Sequence, residues 1–184
     1  IQELKSALLE AVESLDYGLD CRVQSYKQQP PKSDATFPTL SISVGYAYKH
    51  ERNAHRRLMN NNSSTIVDID YSLNEPSREI EIFEIEEGKQ IQIYGFTELV
   101  AEKFRAILQQ VARRRRRRQD VYDLSFLLTH HPQAQDAAIK KMILDSLIEK
   151  SLSRGLTVEK ESLSNPEVIK LSSEEYHLLA SEIE

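Results

Sequence analysis

The sequence predicts an α+β fold, in the broad α/β class, with a mixed β-sheet region followed by a helical half. Two observations lead to this prediction. Before residue 95, apolar residues alternate with polar or small ones in several segments, as they do in half-buried strands. After Phe96, apolar residues recur every three or four positions, as they do in amphipathic helices. We therefore expect a sheet domain over residues 1–95 and a helical domain over residues 96–184.

The first half is predicted to begin with a helix and to continue with strands. The helix is indicated by apolar residues at helical spacing, namely Ile1, Leu4, Leu8, Val12 and Leu15. Segment 39–48 alternates cleanly, and one of its faces carries only small residues, so another element can approach it closely. Segment 65–73 alternates as well, and its apolar face is expected to be buried. Shorter strands at 79–85 and 89–94 would be joined by a turn, whereas the polar segment 49–64 predicts a loop or an exposed helical turn.

The second half is predicted to contain several helices. Thr97 is a good N-cap for a helix with Val100, Phe104 and Ile107 on its apolar stripe. Further helices fit segments 119–129 and 135–150. Ser172 and Glu175 have the spacing of a capping box and predict a last helix, whose apolar residues are Tyr176, Leu179, Ala180 and Ile183.

Charge and cysteine content limit the classes of protein. A net charge of −5 excludes a generally basic surface for nucleic acid. Cys21 is the single cysteine of the chain, so it cannot form an internal disulfide. No apolar run reaches the roughly 18 residues of a membrane helix, and no signal-peptide pattern opens the chain. We therefore expect a cytoplasmic protein without a membrane partner.

Positive charge is nevertheless concentrated in one segment. Six of the 24 basic residues form the run of arginines at 113–118, which we call the arginine link. Six consecutive arginines on a helix would point all round it, so they are expected to form an exposed connection or a helix end. Two interpretations stay open, namely a solvated joint between helices and a site that binds RNA or a triphosphate.

Asp68 and Asp70 are the first candidates for chemistry. They lie two residues apart on a predicted strand, so their carboxylates share one face at a spacing of roughly 7 Å. Strands seldom favour aspartate. The pair either forms a carboxylate edge for Mg²⁺, which prefers oxygen ligands, or points into water from a solvated face.

Lys103, Asp120 and Asp123 are the next candidates. Lys103 lies at the edge of a predicted apolar stripe, where its ammonium group either reaches solvent or points into a cleft as a phosphate ligand. Asp120 and Asp123 are three residues apart and share a face of the following helix. Asp120 also suits the first turn of that helix, where a carboxylate complements the helix dipole. Asp123, with apolar neighbours, is expected to lie deeper.

The sequence lacks the motifs of several other enzyme classes. The five histidines have no metal-ligand spacing, and no serine occupies a nucleophile elbow. The five glycines are scattered, so neither a phosphate-binding loop nor a dinucleotide fingerprint is present.

Three segments together resemble the AbiEii/AbiGii toxin family of nucleotidyltransferase-like proteins. They are VDIDYSLNEP at 67–76, IQIYGFTELVAEKFRAIL at 91–108 and RRRQDVYDLSFLL at 116–128. The order and the spacing match: a strand ends in an aspartate, a helix carries E-x-x-A-x-K, and the next helix carries R-x-D-x-Y-D-L. The resemblance is clear over roughly residues 1–130, and the remainder is similar only as a helical tail.

The resemblance implies a polymerase-β-type nucleotidyltransferase with a helical second half, from a toxin–antitoxin or phage-abortive system. Such a toxin would use Mg²⁺ to move a nucleotide from an NTP to an acceptor such as tRNA, and would have a cognate antitoxin. Asp70 matches the third carboxylate of the metal site, with Asp68 beside it. Lys103 matches the helix lysine, with Glu98 as its upstream partner.

The resemblance also implies roles for residues of the second helix. Asp120 and Asp123 match the pair on that helix, with Tyr122 between them. An arginine commonly stands where this chain has Gln119, and Arg118 or its neighbours can substitute for it. We therefore expect Lys103, Asp120 and Arg118 to contact the nucleotide. Asp70, Lys103 and Asp123 are the expected catalytic residues.

The chain departs from the family pattern at its start. The glycine-glycine-serine/threonine turn and the D-x-D strand that hold both metals in the family would precede Ile1. We therefore treat the chain as a fragment that is inactive alone and catalytic in its full-length form. The alternatives are a catalytically inactive relative that binds RNA or a protein, and a metal-dependent nuclease built on Asp68 and Asp70.

Overall fold

A computed structural model of the chain describes residues 2–14, 18–31 and 36–179. These residues belong to two compact units, Ile1–Glu75 and Pro76–Glu184. The predicted α+β class is confirmed, because the described residues form six α-helices and two antiparallel sheets. None of the described strand pairs is parallel. The division between the units comes before the expected domain boundary at residue 95, since a β-hairpin belongs to the same unit as the helices.

The described residues of the first unit form two helices and a three-stranded sheet. Its elements in chain order are α1 (Gln2–Ser14), β1 (Leu19–Gln29), β2 (Thr39–Tyr48), α2 (Arg52–Met59) and β3 (Ile66–Ser72). The sheet has the order β1-β2-β3 and is antiparallel throughout, so β2 is its central strand. The predicted strands at 39–48 and 65–73 are confirmed, and α2 is the exposed helical turn expected in segment 49–64. Strand β1 was not predicted: Leu19, Cys21 and Val23 alternate with polar residues, but a register shift between Val23 and Ser25 ends this alternation after half of the strand.

The core of the first unit lies on one face of β2. Leu40, Ile42 and Val44 alternate along this strand and are buried, together with Val12 from α1. The prediction that the apolar face of segment 65–73 is buried was wrong, because every residue of β3 is exposed. Among the described strands, β3 pairs only with β2, so it is one of the two edge strands of the sheet.

The small-residue face of β2 does admit a close neighbour, as predicted. Gly45 is buried, and a β-carbon at this position would lie 2.7 Å from the Cβ of Ser63 and 2.8 Å from the Cγ of Gln24. The backbone N–H of Ser63 also donates to Oε1 of Gln24 over 3.0 Å. The absence of a side chain at residue 45 therefore allows the segment after α2 to lie against the sheet.

In the second unit, residues 76–179 form a hairpin and four α-helices. Its elements are β4 (Ile80–Glu86), β5 (Lys89–Tyr94), α3 (Phe96–Arg113), α4 (Arg118–His130), α5 (Ala137–Ser153) and α6 (Pro166–Ser173), with short 3₁₀ helices at Ser162–Ser164 and Tyr176–Leu179. The predicted hairpin and the three predicted helices after it are confirmed. Helix α3 supplies much of the core, through Val100, Ala101, Ile107 and Leu108, which pack with Leu124 of α4.

Two predicted helix starts were wrong. Gly95 is the N-cap of α3, whereas Thr97 lies inside the helix, where it is buried and donates a hydrogen bond to Glu79. Ser172 does not begin a last helix, because it lies inside α6 and its hydroxyl accepts a hydrogen bond from Gln110. Helix α6 itself was not predicted, although Pro166 at its first position and the Asn165 cap are typical start signals.

Some predictions fall on residues outside the described part of the chain. They concern Ile1 and Leu15 in the first helix, and Ala180 and Ile183 near the end. Among the described residues, no helix is both long and apolar enough to cross a membrane.

Candidate nucleotide site

The structure brings Lys103, Asp120 and Asp123 together. The ammonium group of Lys103 on α3 donates a hydrogen bond of 3.0 Å to Oδ1 of Asp120 and one of 2.5 Å to Oδ2 of Asp123 on α4. These three side chains, which we call the lysine cluster, join the E-x-x-A-x-K segment to the R-x-D-x-Y-D-L segment. Two separate sequence motifs therefore meet in one ionic contact.

Helix geometry explains why the cluster forms. Residues three apart on a helix are neighbours on one face, so Asp120 and Asp123 present both carboxylates towards α3. Leu124 is buried in the core next to this face and fixes the rotation of α4. Asp120 occupies the first turn of α4, as predicted, where its charge also complements the helix dipole.

Burial differs among the members of the cluster. The side chain of Asp120 is 15% exposed, and that of Asp123 is 40% exposed. The expectation that Asp123 lies deeper was therefore wrong, because Asp120 lies beside the start of α4 and is covered there. Arg117, with its Nη1 3.6 Å from Oδ2 of Asp120, forms an ion pair next to the cluster.

The surroundings of Lys103 favour its charged form. Burial lowers the pKa of this ammonium group, but the hydrogen bonds and the charges of Asp123 and Asp120 outweigh burial and hold the pKa above its ordinary value. Lys103 is therefore a fixed cation at neutral pH, and it is partly accessible, with 21% of its side chain exposed.

The arginine link connects α3 to α4, as the sequence predicts. Arg114 ends α3 in a left-handed conformation, and Arg118 is the first residue of α4. Arg116 donates to Glu174 over 2.9 Å and to Glu175 over 2.8 Å, and Arg118 lies 3.3 Å from Glu175. Arg118 therefore belongs to an ion-pair network at one end of α4.

Positive charge accumulates around the link despite these pairs. The pKa of Arg113 is lowered by burial and by the repulsion of several guanidinium groups, those of Arg105, Arg154, Arg117 and Arg115. Such a concentration of like charge attracts phosphate groups even on a protein whose net charge is negative.

Glu98 does not pair with Lys103. Its Oε2 lies 2.8 Å from the ammonium group of Lys150 on α5, and its Oε1 accepts a hydrogen bond of 2.7 Å from Ser146. Lys150 also donates to the backbone carbonyl of Pro76 over 2.8 Å. Both ionic side chains are buried. Burial raises the pKa of Glu98, but Lys150 and Ser146 outweigh burial and lower it below its ordinary value. The pair is a structural connection between α3 and α5.

Asp68 and Asp70 belong to the first unit. Both lie on the exposed, polar face of β3, where Oδ1 of Asp68 accepts a hydrogen bond of 2.5 Å from Ser43 and Oδ1 of Asp70 accepts one of 2.6 Å from Ser41. The hydroxyl partners come from the small-residue face of β2, because Ser41 is opposite Asp70 and Ser43 is opposite Asp68 in the register.

The donor set at Asp68 and Asp70 suits a hard divalent cation. Each carboxylate uses one oxygen for a serine, which leaves its second oxygen for a metal. Mg²⁺ typically takes one or two carboxylates and completes its shell with water and substrate phosphates. Within the described ranges, no group of three or more His, Cys, Asp or Glu side chains forms a ready-made metal cage. The two aspartates therefore fit a metal that is shared with a phosphate substrate.

Sequence reasoning missed several partners of these residues. Lys150 could have been noticed, because it continues the inward stripe of Ile143 and Leu147 on α5, and a lysine at such a position needs a buried carboxylate. Ser41 and Ser43 alternate with the core residues of β2, but only the register between β2 and β3 shows that they lie opposite Asp70 and Asp68. Within a run of six arginines, nothing in the sequence distinguishes Arg117 as the partner of Asp120.

Comparison with known proteins gives one family. The family model described as nucleotidyl transferase AbiEii toxin, type IV TA system, matches residues 1–184. No significant match was found among curated proteins or among solved structures.

Proposed function

Because the chain belongs to the AbiEii nucleotidyl transferase toxin family of type IV toxin–antitoxin systems, we propose that it transfers a nucleotidyl group from an NTP to an RNA such as tRNA. Membership of this family implies an NTP substrate and an antitoxin. The observation that carries the proposal is the lysine cluster, in which residues from two of the resembling segments meet. We propose Mg²⁺ as the divalent cofactor.

Each candidate residue has a role in this proposal. Asp70, with Asp68 beside it, would hold the metal, which when bound supplies charge neutralisation on the phosphates. Lys103 would bind a phosphate oxygen, since a compact ammonium group suits a triphosphate. Arg118 and Asp120 would contact the nucleotide at the start of α4, and Asp123 would pair with Lys103 until a phosphate binds.

The lysine cluster also indicates how a phosphate could enter. Asp123 is its more exposed carboxylate, so a phosphate can replace Asp123 as a partner of Lys103 while Asp120 still orients the ammonium group. In the transfer step, an acceptor hydroxyl loses its proton and attacks the α-phosphorus, and pyrophosphate leaves. Positioning and charge neutralisation supply most of the acceleration in such reactions.

The test is incorporation of an α-³²P-labelled NTP into RNA by the protein made from its whole gene. Asp70→Asn and Lys103→Met should each lower the rate by roughly 100-fold or more, because each removes one charged contact to the reacting group. Asp145→Asn and Lys141→Met are matched controls at exposed positions of α5. Normal activity of either site variant would contradict the assigned role.

A second candidate function is an inactive relative that binds RNA. The exposed arginine link favours it, because concentrated guanidinium groups bind phosphates without any catalytic residue. The same RNA assay separates the candidates: lengthened RNA indicates transfer, shortened RNA indicates a nuclease, and unchanged RNA with retained binding indicates the inactive relative.

A further inference from the structure

An open pocket lies beside the lysine cluster in the second unit. Its volume is about 430 Å³, which lies in the range of small-molecule pockets. The lining residues are Leu99, Lys103, Tyr122, Asp123, Phe126 and Leu127. The pocket therefore combines apolar and aromatic walls with a fixed cation and its carboxylate partner at one side.

Two aromatic side chains, Tyr122 and Phe126, line this pocket. Tyr122 and Phe126 are four residues apart on α4, so they share one face of the helix. Both are exposed, and Phe126 is 53% exposed. The ring of Phe126 stacks on that of His130, with centroids 4.5 Å apart and planes inclined by 27°. Exposed rings of this kind offer a flat surface on which another ring system can stack.

A second, polar pocket borders the same cluster. It measures about 260 Å³ and is lined by Asp120, Gln119 and the arginines at 115–118. Asp120 lines this pocket, while its partner Lys103 lines the aromatic one. The lysine cluster therefore separates an aromatic surface from a guanidinium-rich one. A molecule with a flat ring system at one end and several negative charges at the other is complementary to this arrangement.

We propose that Tyr122 and Phe126 form the stacking surface for the nucleobase of the NTP substrate. The proposal rests on the proposed function, and it adds the subsite that holds the base. Stacking is tolerant of base identity because every base has a π-face. The phosphates point past Lys103 towards the arginine-lined pocket, and the geometry of the cluster sets this orientation.

The test measures binding to the protein made from its whole gene by calorimetry, so that the readout is affinity and not turnover. The probes are ATP, GTP, CTP and UTP with Mg²⁺, tripolyphosphate with Mg²⁺, and a short oligouridine RNA. The variants are Phe126→Leu and Tyr122→Leu, which keep an apolar side chain but remove the ring. Phe83→Leu on β4 is the matched control, since Phe83 is 55% exposed and lies outside this pocket. Circular dichroism checks that each variant folds.

Phe126→Leu and Tyr122→Leu are expected to weaken NTP binding by about 5- to 150-fold, because base stacking on an aromatic ring is worth about 1–3 kcal/mol. Tripolyphosphate binding should stay unchanged in both variants, because this probe has no base. Lys103→Met should weaken both ligands, and Phe83→Leu should weaken neither.

Three results would overturn the proposal. If Phe126→Leu and Tyr122→Leu bind NTP like Phe83→Leu while Lys103→Met binds it weakly, the base subsite is refuted and the proposed function stands. If the ring variants weaken only the RNA, the surface stacks bases of the acceptor and not of the NTP. If the unaltered whole-gene protein binds no NTP, the subsite and the proposed function both fail.

Discussion

The charge of Lys103 on α3 neutralises two carboxylates, Asp120 and Asp123, that lie next to each other on one face of α4. Lys103→Met is therefore expected to lower the free energy of unfolding by about 2 kcal/mol. Hydrogen bonds to charged groups contribute about 1.5–3 kcal/mol, and solvent screens the contact with Asp123, which is exposed. Urea unfolding at pH 7 measures this effect. Lys141→Met, at an exposed position of α5, should change the free energy by less than about 0.5 kcal/mol.

The raised pKa of Lys103 adds a pH dependence to that effect. Because the folded-state pKa lies above the ordinary value of 10.5, the stabilisation is complete below pH 10.5 and is lost as pH rises through the folded-state value. The difference in unfolding free energy between the unaltered chain and Lys103→Met should therefore be constant from pH 7 to pH 10 and should shrink above that range. A difference that grows with alkaline pH would contradict this linkage.

Gly45 has no space for a side chain, since Ser63 and Gln24 occupy the position of a β-carbon. Gly45→Ala is expected to destabilise the chain by about 1–3 kcal/mol, the usual cost of overpacking. Thermal or urea unfolding measures it. Ser63→Gly removes the closest atom, so the double variant Gly45→Ala/Ser63→Gly should lose less stability than the sum of the single variants. Strict additivity would show that the two positions do not conflict.

At the scale of elements, α3 and α5 are joined by the buried pair of Glu98 and Lys150. Lys150→Met is expected to cost about 3–5 kcal/mol, because it leaves the Glu98 carboxylate buried without its cation. The double variant Glu98→Gln/Lys150→Met should recover part of that loss, since neither remaining side chain carries a charge. Urea unfolding of the two single variants and the double variant measures the coupling. A loss in the double variant equal to the sum of the losses in the two single variants would show that the pair is not coupled.

The same pair should make the α3–α5 contact sensitive to acid. The folded-state pKa of Glu98 lies below its ordinary value of 4.5, so its stabilisation is present above pH 4.5 and is lost as pH falls through the lowered value. The unaltered chain should therefore lose stability below pH 4.5 more steeply than the Glu98→Gln variant, which has no carboxylate to protonate. Parallel acid profiles would argue against this role of Glu98.

Elements with a periodic apolar pattern could be predicted from the sequence, and elements without one could not. Strand β2 and helix α3 each bury one face, so their side chains repeat at the period of the element. Strand β1 also has an apolar face, with Cys21, Val23 and Tyr26 against the core, but a register shift between Val23 and Ser25 interrupts its alternation. Strand β3 shows the opposite case: it alternates like a half-buried strand, yet it is exposed at the edge of the sheet.

At the scale of the whole molecule, the candidate residues could be found from motif order, but their partners could not. The sequence singled out Lys103, Asp120 and Asp123, and the structure brings these three together. Whether Lys103 or Lys150 pairs with Glu98 depends on how α3, α4 and α5 pack, which is tertiary information. The aromatic surface of α4 escaped notice because Tyr122 and Phe126 look like ordinary helix residues until their exposure is known.

The arginine link can be tested as an RNA contact against a matched basic segment of the same chain. The triple variant Arg114→Ser/Arg115→Ser/Arg116→Ser and the triple variant Arg52→Ser/Arg56→Ser/Arg57→Ser each remove three positive charges from exposed positions, so both change the net charge of −5 equally. If the link contacts phosphates, only the first variant should bind oligouridine more weakly, and its slope of log affinity against log salt should be shallower by about 2, since each lost contact to a single strand removes about 0.7.

A further variant sharpens this test. Glu174 and Glu175 pair with Arg116 and compete with phosphates for it, so Glu174→Gln/Glu175→Gln should raise the affinity for RNA. A general effect of net charge predicts the same two signs, so the comparison with the Arg52→Ser/Arg56→Ser/Arg57→Ser variant is what distinguishes a local phosphate site from it. Equal weakening by the two triple variants would mean that RNA responds only to the overall charge, and the arginine link would then be a solvated joint between α3 and α4.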